Sequence, residues 1–182
     1  SRLHLNKLKQ ASLYSVCTAF AKSRLFLCHL RMDGRSMIFN LKTMNVDRIN
    51  DLITRQEGLS TTLGMEFIST PEDDTCMARM RVNERNRQPF GFLSGGASLA
   101  LAENLAGVGS MSLCPDKICV GISVSGKHVR AVLEGDTVTA YGRLQFKGHT
   151  LHEWHIDIKN SKDELISTVQ VTNYVIHQDK DE

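Results

Sequence analysis

The chain has 182 residues and a formal net charge of +2 at pH 7. That length suits one domain with a good core, and no apolar run approaches the roughly 20 residues that a transmembrane helix needs. The small total hides an asymmetry: residues 1–43 hold eight Lys or Arg against one acid, Asp33, whereas residues 44–182 hold fourteen against nineteen.

Residues 1–43 are a basic extension with short helical patterns (Leu5, Leu8, Ser12; Phe20, Leu25, Phe26) and no clean strand alternation. Three readings compete: an acid-poor targeting peptide, an arm for a membrane surface or partner, or an over-long start with translation beginning at Met44. The domain proper is taken as residues 44–182. Its acidic balance argues against a nucleic-acid partner. Cys17, Cys28, Cys76, Cys114 and Cys119 are odd in number and form no C-x-x-C pair, which does not point to a disulfide framework and suits a reducing cytoplasm.

In chain order, Val46, Ile49, Leu52 and Ile53 fall at helical spacing before Gly58, predicting a short amphipathic helix over 46–57. Residues 61–69 and 75–83 alternate as two strands around P-E-D-D, and residues 84–93 form a loop carrying Gln88. After C-P-D-K, four strands are predicted at 117–130, 136–147, 150–160 and 164–176, with residues 177–182 frayed. One long helix after a first hairpin, then a meander, implies an α+β domain with the helix on one face of an antiparallel sheet. His149, His152 and His155, three apart on a strand, point to alternate faces and cannot converge on one ion, so no metal site is expected. Trp154 is assigned to the core.

The central stretch is Asn86–Ser110. After Ser94 and Gly95-Gly96 come about seventeen residues of Ala, Leu, Gly and Ser, apolar on every side, the pattern of a helix buried all round. Its one charge is Glu103, which needs either an ion-pair partner or a chemical task. Ser94 can cap the helix, and the glycines let a ligand approach its first turn, where free N–H groups favour anions or polarised carbonyls. At 1.5 Å per residue Glu103 lies about 12 Å from Gly95, so a site using both needs two helices side by side.

The string Q-P-F-G-F-L-S-G-G-A-S-L-A-L-A-E, with V-G-I-S-V-S-G-K-H-V-R and K-G-H-T-L-H-E-W, closely resembles the hotdog-fold acyl-CoA thioesterases. It resembles in particular the branch holding the 1,4-dihydroxy-2-naphthoyl-CoA hydrolases, the enterobactin-pathway proofreading thioesterase and the phenylacetate-pathway thioesterases. The resemblance, over roughly residues 60–176, implies a curved antiparallel sheet around a long helix and a homodimer or dimer of dimers with facing helices. It implies hydrolysis of an aromatic acyl-CoA without metal or redox cofactor, most directly 1,4-dihydroxy-2-naphthoyl-CoA in menaquinone synthesis. A phenylacetyl-type or housekeeping hydrolase and a non-catalytic acyl-CoA binder are the alternatives.

By the same resemblance Glu103 is the base or nucleophile, Gly95 N–H polarises the thioester carbonyl, and Gln88 orients water or thioester. Ser94 stands where the relatives with naphthoyl and enterobactin-pathway activity usually carry His, and Gly107 where they usually carry Ser or Thr, so both assisting groups are altered here. Coenzyme A is expected at Gly121, His128, Val129, Arg130, Ala131, Lys147, Gly148, His149 and Thr150.

Overall fold

A computed structural model of the chain describes residues 27–32, 35–40, 43–56 and 58–176. Most of the basic extension and the expected frayed end at 177–182 lie outside the described residues. The chain divides into two units between Leu41 and Lys42. In the first, β1 (Leu27–Met32) pairs antiparallel with β2 (Arg35–Asn40), Leu27 opposite Asn40 and Met32 opposite Arg35. This hairpin departs from the sequence reading, which found no clean alternation there.

The second unit opens with α1 (Asp47–Arg55), whose buried Ile49 faces the core. Residues 61–64, expected as the start of a strand, instead belong to a helical turn, α2 (Leu59–Leu63), closed by Gly64 at φ 70°. The left-handed glycine ends the turn, its N–H bonding to the Ser60 and Thr61 carbonyls. Ser60 Oγ donates to Asn104 Oδ1 at 2.7 Å, docking α2 on the long helix. Only then does β3 (Met65–Ile68) begin, followed by β4 (Thr75–Arg81).

The long helix α3 spans Gly95–Leu113, and β5 (Ile118–His128), β6 (Thr137–Lys147), β7 (Leu151–Lys159) and β8 (Leu165–Ile176) follow. They form a six-stranded antiparallel sheet in the order β3-β4-β6-β7-β8-β5, the α+β arrangement expected. The chain leaves α3 for the far edge, so among the described strands β5 is at the edge and pairs only with β8. Alternation places His152, Trp154, Ile156 and Ile158 of β7, and Val171, Asn173 and Val175 of β8, on the buried face.

Trp154 is fully buried in the centre of this face. A Cβ on Gly109 would stand 2.7 Å from its Cζ2, so the ring fits only because the helix has a glycine there. Its Nε1 donates to Ser110 Oγ at 2.9 Å, satisfying the indole in the core.

The helix is not buried all round. Leu101, Ala102, Leu105, Ala106 and Val108 are sealed, whereas Ala100, Glu103, Asn104, Gly107 and Met111 on the other side are only half-buried. An all-apolar helix thus finds a core on one side within a single chain.

His152 is 1 % exposed and neither ring nitrogen has a partner among the described residues. Desolvation, then the nearby Lys147 charge, hold its imidazole below the ordinary value. The unfolded chain therefore takes up the proton first as pH falls below about 6.5, and stability is lost from there downward. Urea unfolding at pH 7 and pH 5 should show a smaller acid loss for His152→Leu than for the parent; equal losses would assign the acid sensitivity elsewhere.

Candidate active site

The loop before α3 is built to hold its shape. Asn86, 3 % exposed, donates through Nδ2 to Arg81 O at 2.9 Å, accepts from Asn83 N–H at 2.9 Å, and its carbonyl accepts Ser94 N–H at 2.9 Å. Leu93 N–H donates to Val132 O at 2.8 Å, tying the loop to the segment after β5. Gln88 projects from this frame, exposed, with Nε2 donating to Leu93 O at 3.3 Å.

Ser94 takes the N-cap position with φ −70° and ψ 135°, but its hydroxyl makes no capping bond. The first N–H groups of α3 keep their capacity for a ligand, at the positive end of the helix dipole. The His128 imidazole closes one side: a Cβ on Gly95 would lie 2.7 Å from Nε2, an approach only glycine allows. His128 Nδ1 is hydrogen-bonded to Ser167 Oγ at 2.9 Å, which fixes the ring.

Gln88, Gly95, Ser98, His128, Arg130 and Ser167 line one cleft of about 350 Å³, with Val129 and Ala131 on its wall. Sequence reasoning grouped His128 with the coenzyme grip; the fold carries its ring to the helix terminus, a contact between residues 33 apart that no local spacing reveals. Arg130 is half-exposed and paired with Glu164 at 3.3 Å. Ser98 and Ser167 line the cleft without having been foreseen, since a small hydroxyl on a helix or strand carries no distinctive signal.

Glu103 lies away from this cleft. Its Oε1 is 2.6 Å from where a Cβ of Gly121 would be, so the carboxylate rests over the glycine of the edge strand. Here β5 is bulged, Ile122 having no counterpart between the Gly121–Asn173 and Ser123–Thr172 pairs. Among the described residues Glu103 makes no ion pair or hydrogen bond. Gly121→Ala should displace the carboxylate and lower kcat/KM on the order of tenfold to a hundredfold, with a stability change under about 1 kcal/mol. Unchanged kcat/KM in a soundly folded variant would detach Gly121 from the site.

Lys147 ends β6 and Gly148, His149 and Thr150 form the turn to β7, where Thr150 O accepts Val175 N–H at 2.8 Å. His128 sits opposite Ser167, at the other end of β8. Eight residues of strand separate the two positions, about 26 Å. One chain therefore does not bring its two expected coenzyme-binding segments together.

The Thioesterase superfamily matches residues 90–167 of the chain. A Deinococcus radiodurans protein, named a presumed esterase, is 44 % identical over 120 residues, covering 65 % of this chain and 74 % of that one. The 1,4-dihydroxy-2-naphthoyl-CoA hydrolase of Listeria monocytogenes is 33 % identical over 116 residues, 63 % of this chain and 93 % of its own length. Among solved structures, a thioesterase of Haemophilus influenzae superposes with a TM-score of 0.67 at 33 % identity, covering 75 % of this chain and 94 % of that one. With the long helix inside a six-stranded antiparallel sheet, these matches show that the chain belongs to the thioesterase superfamily and is a hotdog-fold acyl-CoA thioesterase.

Proposed function

We propose that the chain hydrolyses an aromatic acyl-CoA, most directly 1,4-dihydroxy-2-naphthoyl-CoA in menaquinone synthesis, at a site shared by two copies. The observation that carries the chemistry is Glu103: a lone carboxylate on the central helix, half-buried and unpaired among the described residues. It lies two turns from the helix terminus that binds carbonyls, too far for both to act on one thioester in one chain.

A second copy resolves this distance. The edge strand β5 carries exposed Ile118, Val120 and Ile122, and α3 keeps one side half-bare. An unpaired apolar edge and an apolar helix face both call for a partner. Antiparallel pairing of β5 with its copy sets the two α3 helices antiparallel, Glu103 of one near Gly95 of the other. It also brings the His128 end of one sheet beside the β6–β7 turn of the second, about three strand spacings away. The expected coenzyme residues then face one groove, and a dimer is the smallest active unit.

In this reading the thioester carbonyl accepts from Gly95 N–H, where the helix dipole stabilises developing negative charge. Glu103 of the second copy removes a proton from water or attacks the carbonyl, and Gln88 orients the reacting group. His128, packed on Gly95, supplies an imidazole beside the carbonyl, near the place where relatives carry His and this chain has Ser94. The chemistry needs no metal or redox cofactor. No described helix is long and apolar enough to cross a membrane, and the cytoplasm, with its CoA pool, is the assigned compartment.

The test is free-thiol release from dihydroxynaphthoyl-, hydroxyphenylacetyl-, benzoyl- and medium-chain-CoA. The dihydroxynaphthoyl thioester should give the highest kcat/KM. A best rate with hydroxyphenylacetyl or medium-chain substrate transfers the assignment to the phenylacetyl-type or housekeeping branch, and thermal stabilisation by acyl-CoA without thiol release makes the protein a binder.

A further inference from the structure

Three buried polar atoms have no partner among the described residues: His152 Nδ1, His152 Nε2 and Asn173 Oδ1. Such atoms normally find one, because each costs about 1–3 kcal/mol when left bare. The three are neighbours. Gly121 of β5 lies opposite Asn173 of β8, and Asn173 lies opposite His152 of β7, so all three residues share one face. Asn173 is 0 % and His152 1 % exposed, which makes it the face under α3.

The row ends at Glu103, whose Oε1 occupies the space over Gly121. Directly opposed Cβ positions are about 4.5–5.5 Å apart, so the Asn173 amide and the Glu103 carboxylate lie within reach of one bridging group. They cannot bond each other, since a carboxylate and an amide oxygen are both acceptors. As placed, the amide turns its donors the other way. Its Nδ2 donates to Ser110 Oγ at 2.9 Å, and that oxygen also accepts from Trp154 Nε1. Nor can the helix help, because the residue one turn beyond Glu103 is Gly107, whose missing Cβ has nothing within 4 Å.

The group that fits two facing acceptors and a nearby imidazole is one with two O–H donors and a lone pair. We propose that Asn173 is a positioning residue of the active site, holding an internal water that donates to Asn173 Oδ1 and to Glu103 and accepts from a His152 ring N–H. The sheet thereby fixes the carboxylate from behind, a task the helix cannot perform with glycine at 107. This inference rests on Glu103 being the reacting carboxylate.

The experiment compares Asn173→Leu, Asn173→Thr, His152→Leu and Glu103→Ala in the thiol-release assay, with unfolding measured alongside. Asn173→Leu removes the acceptor at similar volume; Asn173→Thr keeps an oxygen. The expected result is a kcat about tenfold lower for Asn173→Leu with KM within about twofold, a smaller fall for His152→Leu, and recovery of most of the rate in Asn173→Thr. Parent-like kcat in a folded Asn173→Leu, with Glu103→Ala inactive, overturns the inference and leaves the catalytic role of Glu103 intact. A Thr variant as slow as Leu overturns it too, because the acceptor would not be what matters. Full activity in Glu103→Ala defeats the reading beneath it. Should Asn173→Leu fail to fold, a high-resolution crystal structure of the parent decides: ordered water within hydrogen-bond distance of Asn173 Oδ1 and Glu103 supports the inference, and a dry contact overturns it.

Discussion

Glu103→Ala should lower kcat/KM for thioester hydrolysis about a thousandfold while the protein stays folded. Removing a positioned general base typically costs two to four orders of magnitude, and nothing else on α3 can replace it. Gly107, one turn on, has no side chain, and Asn104 is committed through Nδ2 to Ala100 O and through Oδ1 to Ser60. Stability should hardly move, because Glu103 is half-buried and unpaired among the described residues, and alanine is the better helix former. Glu103→Gln keeps the shape over Gly121 and loses the charge, so it should be nearly as inactive. An active Gln variant would mean that the carboxylate serves shape and not chemistry. Loss of folding in both variants would restore the alternative of a structural carboxylate.

Trp154→Ala should cost about 3–5 kcal/mol of unfolding free energy. The ring fills the space that Gly109 opens in α3, and removing it leaves a cavity the helix backbone cannot close. The substitution also takes one of two hydrogen bonds from Ser110 Oγ and loosens Asn173 beside it. Against a typical margin of about 5–15 kcal/mol, such a loss is a large fraction of the whole. Urea unfolding measures it, and a cost below about 1 kcal/mol would show that Trp154 is not the centre of the core.

The features written in local periodicity were legible in the sequence. The Ala/Leu/Gly run predicted α3, and the four strands predicted after C-P-D-K have ends within two residues of those observed. Glu103 stood out because a charge in an apolar helix is conspicuous. The misread elements are those where short signals compete. Leu59–Leu63 became a helical turn because Gly64 adopts the left-handed conformation, which residue type permits and does not announce. The β1–β2 hairpin was missed although Asp33-Gly34 is a strong hairpin signal, since the flanking residues do not alternate.

What the sequence could not show is non-local. His128 meets Gly95 only because β5 lies at the edge beside the helix terminus. The 147–150 turn is separated from His128 because β8 runs the full length between them. Asn173 and His152 gain meaning only through their register with Gly121. The half-bare side of α3 could be read as all-round burial because composition records apolarity and not which molecule covers it.

The most direct test mixes Glu103→Ala with Gln88→Ala, each expected to be inactive alone, by unfolding and refolding them together. If the site draws Glu103 from one copy and Gln88 with Gly95 from another, each mixed dimer holds one intact site. Hydrolysis should then recover to about a quarter of the parent rate, as expected for random pairing in a two-fold dimer. A mixture no more active than its two components would contradict a site shared between subunits.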